Sequence, residues 1–313
     1  MKVAFMGTPE FAASCLRALL ESRHRVVGVV TQVDRPRGRG KKLAFSPVKE
    51  LALKQGLPVL QPSSLKDLEF LRTLREWGPE AIVVAAFGRL LPPVVLSLPP
   101  YGCINVHASL LPRYRGAAPI QRAIMNGEKD TGVTTMYMVE KLDAGDIILQ
   151  EKVAIPPEMT AGELEQELAC LGARLLVRTL DLIENGQAPR IPQNEELATY
   201  APPLTPEEEK IDWTKEAVKI VNHIRGLSPV PGAYTLRGEE RLKIYRARVW
   251  QGDKKIFEGK PGQVTAVFPQ EGFLVQTGEG EVLILEVQPP GKRVMSAAEY
   301  LRGYRLKAGE YLG

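Results

Sequence analysis

The chain has few of the residues that build metal sites and disulfide frameworks: its 313 residues include three cysteines and three histidines. Cys15, Cys103 and Cys170 stand far apart with no Cys-x-x-Cys spacing, which argues against a zinc site or a disulfide scaffold and predicts a reducing, cytoplasmic setting. His24, His107 and His223 fall in no His-Glu-x-x-His pattern, so no metal is expected. No apolar run approaches the ~18 residues of a membrane span, and the opening MKVAFMG already reads as a strand, so neither a membrane partner nor a leader peptide is expected. Gly7 in FMGTPEF is followed by no G-x-G-x-x-G, so nicotinamide binding lacks its fingerprint. Strong charge imbalance is missing too. With 41 cationic and 37 anionic side chains, a polyanionic partner has to be met by a local cluster of cations rather than by the whole surface. There is no internal repeat.

What is present is 44% apolar residues in a chain longer than one hydrophobic core usually organises, which predicts two domains. KVAFMG, RVVGVVT, PVLQP, AIVVAAF and CINVH read as strands, with helical patterns between most of them. That alternation predicts an α/β, Rossmann-like, mostly parallel sheet covered on both faces. Ser46-Pro47 marks a helix start, and a long amphipathic helix runs from Thr160 to Gly186 behind the strands GVTTMYMV and DIILQEKVAI. Residues 190–207 lose apolar periodicity and gather proline and charge, as an exposed linker does. The expected division is therefore residues 1–189, a linker over 190–207, and residues 208–313. In the last stretch, one helix and about five short strands predict a small OB-like β-barrel.

Within CINVH the period of two puts Cys103, Asn105 and His107 on one face, so Asn105 and His107 stand ~6.6 Å apart along the strand. In open parallel sheets, ligands sit beyond the carboxyl ends of strands, and SLLP ends this strand at once. Two neighbouring polar groups in a buried strand are costly unless they serve something. An amide can donate to a developing oxyanion and an imidazole can carry a proton near neutral pH, a pairing suited to addition at a carbonyl. The third group that usually orients a histidine has two candidates in VEKLDAGDIIL, Asp143 and Asp146, and spacing does not choose between them.

INVHASLLPRYRGAAPIQRAI followed by TGVTTMYMVEKLDAGDII resembles the folate-dependent formyltransferases, and VAFMGTPEFAASCLRALL, VVTQVDRPRGRGKKL, IDWTKEA and MSAAEYL extend the likeness across nearly the whole chain. The resemblance implies catalytic roles for Asn105, His107 and Asp143. It implies 10-formyltetrahydrofolate as formyl donor, held around Arg89, Leu90 and Leu91, with Ser109, Leu110, Leu111, Pro112 and Gly145 as further folate contacts. The implied acceptor is the α-amine of methionyl initiator tRNA; nothing in the sequence requires a dimer, so a monomer is expected, and its ligand spacing calls for no metal.

Arg35, Arg37, Arg39, Lys41 and Lys42 crowd RPRGRGKK, the cation cluster that the near-neutral net charge requires. By resemblance this loop engages the tRNA acceptor stem, with Arg113 and Arg115 beside the catalytic strand and residues 208–313 as a tRNA-binding domain. Other readings keep the chemistry and change the acceptor to glycinamide ribonucleotide, a nucleotide-linked amino sugar or water, or abandon catalysis for tRNA binding alone. The basic loop disfavours a small acceptor, and the intact Asn105, His107 and Asp143 disfavour a purely binding role.

Overall fold

The computed structural model describes residues 1–37, 42–252 and 259–313. They form two compact units: Met1–Pro119 with Asp130–Ala154 and Glu165–Pro202, and Ile120–Lys129 with Ile155–Leu164 and Pro203–Gly313. The division read from the sequence is contiguous. The units of the structure are not, because two short segments before residue 165 join the second unit.

The first unit holds strands β1 (Lys2–Gly7), β2 (Arg25–Val30), β3 (Arg35–Arg37), β4 (Lys42–Ala44), β5 (Val59–Leu60), β6 (Ala81–Ala85), β7 (Cys103–His107), β8 (Arg115–Gly116), β9 (Asp130–Tyr137), β10 (Ile147–Ala154) and β11 (Tyr200–Ala201). Seven of them make one sheet in the order β10-β9-β7-β6-β1-β2-β5. From β5 to β7 every neighbouring pair is parallel; β9 runs against both β7 and β10. Every position of β6 and β7 is buried, which is why both read as unbroken apolar runs apart from Asn105 and His107.

Helices α1 (Glu10–Leu20), α2 (Pro47–Lys54), α3 (Leu68–Glu76) and α4 (Pro93–Leu96) separate these strands. The Ser46 hydroxyl accepts the Lys49 N–H at 3.1 Å and Pro47 opens α2, so the predicted cap is in place. Helix α5 spans Pro119–Met125, and α6 spans Ala161–Glu184 with Gly186 at φ 68° just beyond its end. Ala4, Met6, Val30, Phe70, Leu74, Ile82 and Phe87 share one buried cluster, where each large side chain contributes about 1.5–3 kcal/mol of transfer free energy.

In the second unit, α7 (Ala217–Leu227) precedes β12 (Ala233–Arg237), β13 (Glu240–Val249), β14 (Val264–Phe268), β15 (Gly272–Gln276), β16 (Glu281–Gln288), β17 (Met295–Ser296) and α8 (Ala297–Gly303). The sheet runs β12-β13-β16-β15-β14 with antiparallel neighbours, and β17 pairs with β16. Register shifts interrupt β13 on both sides of Arg246 and β14 after Val264, and such bulges sharpen the twist of a small sheet. Among the described residues no ladder joins β12 to β14. Ser296 and Glu299 form a reciprocal capping box that starts α8.

His223 on α7 carries a titration of its own. Burial, reinforced by the Lys215 charge and opposed by Glu208 and Asp212, lowers its pKa from the usual 6.5 to about 4. The unfolded chain therefore takes up a proton below pH 6.5 that the folded one refuses until about pH 4, so stability falls as pH drops through that window. Replacing His223 with glutamine is expected to flatten the stability slope across this interval, removing up to roughly 3 kcal/mol of pH dependence in denaturant titrations. An unchanged slope would show that His223 does not set it.

Candidate active site

Asn105 and His107 lie on one face of β7, only 8% and 6% exposed. The sheet register determines how the aspartate reaches them. Because β9 is antiparallel to β7 with Tyr137 opposite Ile104, the loop from residue 138 to 146 leaves beside the amino end of β7. It returns over the sheet face: the Asp143 carboxylate accepts the Asn105 amide N–H at 3.3 Å and lies 3.7 Å from His107 Nδ1. The three groups thus meet on one face of β7, of which His107 is the last residue. Asp146, the alternative that spacing left open, instead sits 3.7 Å from Arg190 and is 37% exposed.

The hydrogen bonds fix the chemistry of the histidine. His107 Nε2 lies 2.9 Å from the Tyr114 carbonyl oxygen, which can only accept, so Nε2 carries the proton and Nδ1 faces Asp143. The Asp143 carboxylate also accepts the Gly116 backbone N–H at 2.9 Å. Among the described residues, Ala86, Tyr114 and Asp143 are the non-glycine residues with positive φ, at 42°, 60° and 47°. Ala86 follows β6 directly, Tyr114 holds His107, and Asp143 is the carboxylate itself. Backbone held in sparsely populated regions costs about 1–3 kcal/mol per residue and collects where function over-determines it.

Arg89, Leu90 and Leu91 line a cavity of about 380 Å³ together with Ser64, Leu65, Lys66, Pro92, Pro93 and Glu140. Glu140 belongs to the same loop as Asp143. The Arg89 guanidinium donates to the Pro62 and Ser63 carbonyls at 2.9 and 2.6 Å, so it shapes the wall.

The other expected folate residues are placed differently. Ser109 is fully buried, its hydroxyl donating to Arg113 O at 2.6 Å. Leu110 packs over Gly132. The Leu111 backbone N–H donates to Thr134 Oγ1 at 3.1 Å, and its side chain packs on Met136 and Ile147. The Pro112 carbonyl accepts the Thr199 N–H at 3.3 Å. Gly145 is pressed so closely on the Tyr137 carbonyl that a Cβ would lie 1.7 Å from its oxygen. These five serve packing and backbone geometry, and none of them lines the cavity.

Two further expectations need correction. Arg115 is fully buried and pairs with Glu195 through two nitrogens at 3.1 and 2.8 Å, so it is not a surface cation open to phosphate. Burial penalises an unpaired charge, and Arg115 pairs within the fold. Arg113 is exposed, its guanidinium 5.5 Å from the centroid of the Tyr114 ring. Of the basic loop, Arg39 and Lys41 lie outside the described residues, and so do the side chains of Arg35, Arg37 and Lys42. The backbone of β3 and β4 pairs as a short hairpin around them, with Arg37 opposite Lys42.

Nor do residues 190–201 behave as a free linker. Ile191 exchanges both backbone hydrogen bonds with Ile147, and β11 pairs in parallel with β8. Their side chains are mostly exposed, which is why the stretch reads as a linker, yet its backbone is tied down at both ends. Between the ties, Gln193 and Glu195 reach into the site. The Arg115 and Lys141 cations hold the Glu195 carboxyl down to about 2. Neither residue had a signal in the sequence, since a polar residue in a polar stretch carries none.

No helix among the described residues is long and apolar enough to cross a membrane. The formyl transferase family model matches residues 1–180, and the model for the formyl transferase C-terminal domain matches residues 203–305. The chain is 60% identical to the methionyl-tRNA formyltransferase of Moorella thermoacetica, covering 100% of this chain and 99% of that one. It is 51% identical, with the same coverage, to that of Pelotomaculum thermopropionicum. Among solved structures, HypX from Aquifex aeolicus in complex with tetrahydrofolic acid superposes with a TM-score of 0.67 at 19% identity. That match covers 99% of this chain and 48% of HypX, so this chain spans about half of that protein, and the likeness is one of fold.

Proposed function

The chain belongs to the formyl transferase family, and on that premise we propose that it transfers the formyl group of 10-formyltetrahydrofolate to the α-amino group of methionyl initiator tRNA, producing formylmethionyl-tRNA for translation initiation. One observation carries the reading: 60% identity, end to end, with a relative named for that activity. The meeting of Asn105, His107 and Asp143 on one sheet face supports it chemically.

The cavity fits a folate. Leu65, Leu90, Leu91, Pro92 and Pro93 offer an apolar wall for flat rings, and the exposed Lys66 offers a cation for a carboxylate tail. When bound, the folate supplies an activated formyl carbon. A free α-amine titrates near ~7.7–8, so a useful fraction is already nucleophilic and no covalent enzyme intermediate is required. Asn105 donates through its amide, and His107, whose Nε2–H stays on the Tyr114 carbonyl, donates through a protonated Nδ1 to the oxygen that gains charge as the amine adds. Asp143 polarises His107 and relays through water the proton that the amine loses. The new C–N bond forms on addition, and the bond to the carrier nitrogen breaks as the oxyanion collapses, the relayed proton taking the place of the formyl group on that nitrogen.

Arg39, Lys41 and Lys42 are assigned to the acceptor stem and residues 208–313 to further tRNA contacts, the sequence-independent phosphate grip that such cations supply. The protein works as a cytoplasmic monomer without a metal. The deciding assay offers 10-formyltetrahydrofolate with methionyl initiator tRNA, methionyl elongator tRNA or glycinamide ribonucleotide in parallel. Formylation confined to the initiator tRNA is expected; formylation of glycinamide ribonucleotide alone would overturn the assignment.

A further inference from the structure

Asp143 adopts a left-handed backbone, φ 47°, a sparsely populated conformation that aspartate tolerates better than most residues but that still has to be held. One residue far away in sequence bridges the turn. The Gln193 side-chain amide donates to the carbonyl oxygens of both Asp143 and Gly145, each at 2.8 Å, and so bridges the turn that presents the carboxylate. The amide's other end faces the opposite kind of group: Gln193 Oε1 accepts from Arg115 Nε and Nη2 at 3.1 and 2.7 Å. Carbonyls only accept and a guanidinium only donates, so the amide can sit in one orientation alone. Arg115 is locked in turn by its paired contacts to Glu195. Its chain neighbour, Gly116, donates to the Asp143 carboxylate. Backbone and carboxylate of Asp143 are therefore held from one side by a single Gln193–Arg115–Gly116 arrangement.

We infer that Gln193 is a positioning residue for the reaction, fixing the Asp143 turn so that its carboxylate meets Asn105 and His107. The inference rests on the catalytic role proposed for Asp143. The segment carrying Gln193 is anchored independently, at Ile191–Ile147 and where Tyr200 and Ala201 pair with Arg115 and Gly116, so changing this one side chain leaves the segment attached.

The test is a double-mutant cycle on the full chain, with Gln193→Met and Asp143→Asn made singly and together and rates followed in single turnover at saturating donor and methionyl initiator tRNA. Methionine matches the length of glutamine but can neither donate to the two carbonyls nor hold Arg115. Gln193→Met is expected to lower the melting temperature, since it strips contacts from the buried Arg115 and from two carbonyls, and, well below that melt, to lower the rate about ten- to hundredfold with both KM values little changed, the scale of loss from a small misplacement of a catalytic group. In the Asp143→Asn background the same change is expected to cost less than about twofold, because residues acting as one unit do not add. Equal losses in both backgrounds, or no loss in the first, would overturn the inference. If Asp143→Asn alone keeps normal turnover, the catalytic reading of Asp143 fails and this inference fails with it; if Asp143→Asn is slow while Gln193→Met is fully additive, only the inference fails. Should Gln193→Met not fold, Gln193→Asn, which draws the amide back by one methylene, is read in the same cycle.

Discussion

Asn105→Ala is expected to lower turnover by about 10²–10³-fold, and His107→Ala by about 10²–10⁴-fold, while affinity for methionyl initiator tRNA stays near its normal value. The separation follows from where the two groups lie. Both are buried on β7 with their polar atoms turned to Asp143 and to the Tyr114 carbonyl, and neither belongs to an exposed cationic surface. The asparagine amide is a neutral donor whose value rises as charge develops on the formyl oxygen, so its loss falls on kcat rather than KM. His107 has a second job. Its Nε2–H donates to the Tyr114 carbonyl, and losing that buried hydrogen bond costs about 0.5–1.5 kcal/mol of stability. Thermal melting therefore separates the variants, with His107→Ala melting lower than Asn105→Ala. Steady-state kinetics with both substrates and a filter-binding assay for tRNA decide the matter. Near-normal turnover in both variants would remove the oxyanion assignment.

How far the site could be read from the sequence depended on the range of the interaction. Asn105 and His107 were legible because a period of two within five residues decides which side chains share a strand face, and a polar pair in an apolar strand stands out. The choice of Asp143 over Asp146 was not legible in spacing and came only through the family resemblance. It depends on the antiparallel register of β9 on β7 and on a loop folding back over the sheet, and neither leaves a mark in local spacing. Arg115 shows the converse error. In a PRYRG turn its charge looks like surface, and only the return of Gln193 and Glu195, about eighty residues later in the chain, turns it into a buried scaffold cation. The parallel sheet and the five short strands of the second unit were legible for the same reason as Asn105, since apolar periodicity and turn residues are local. The non-contiguous units were not, because transfer of residues 120–129 and 155–164 to the second unit is a matter of packing alone.

Gly145→Ala is expected to cut turnover by about a hundredfold. Space is the whole cause. Gly145 has no positive φ, so alanine can adopt its backbone conformation, but the added Cβ would lie 1.7 Å from the Tyr137 carbonyl oxygen and 2.8 Å from its carbon. Both are backbone atoms with no rotamer to yield. Tyr137 is held by pairing with Ile104 and by the hydrogen bond from its N–H to the Asp146 carbonyl at 2.9 Å. The loop must therefore give way, by roughly 1.5–2 Å if ordinary van der Waals separation is to be restored. Asp143, two residues earlier, moves with it and loses its contacts to Asn105, His107 and the Gly116 N–H. Gly186→Ala separates this effect from general strain. Gly186 sits at φ 68° with nothing within 4 Å of an added Cβ, so alanine there costs about 1 kcal/mol of stability in a left-handed position and leaves turnover alone. Measured side by side, Gly145→Ala should lose rate out of proportion to any fall in melting temperature, and Gly186→Ala should lose stability without rate. A Gly145→Ala protein with normal turnover would mean that the catalytic carboxylate does not depend on the seat this loop provides.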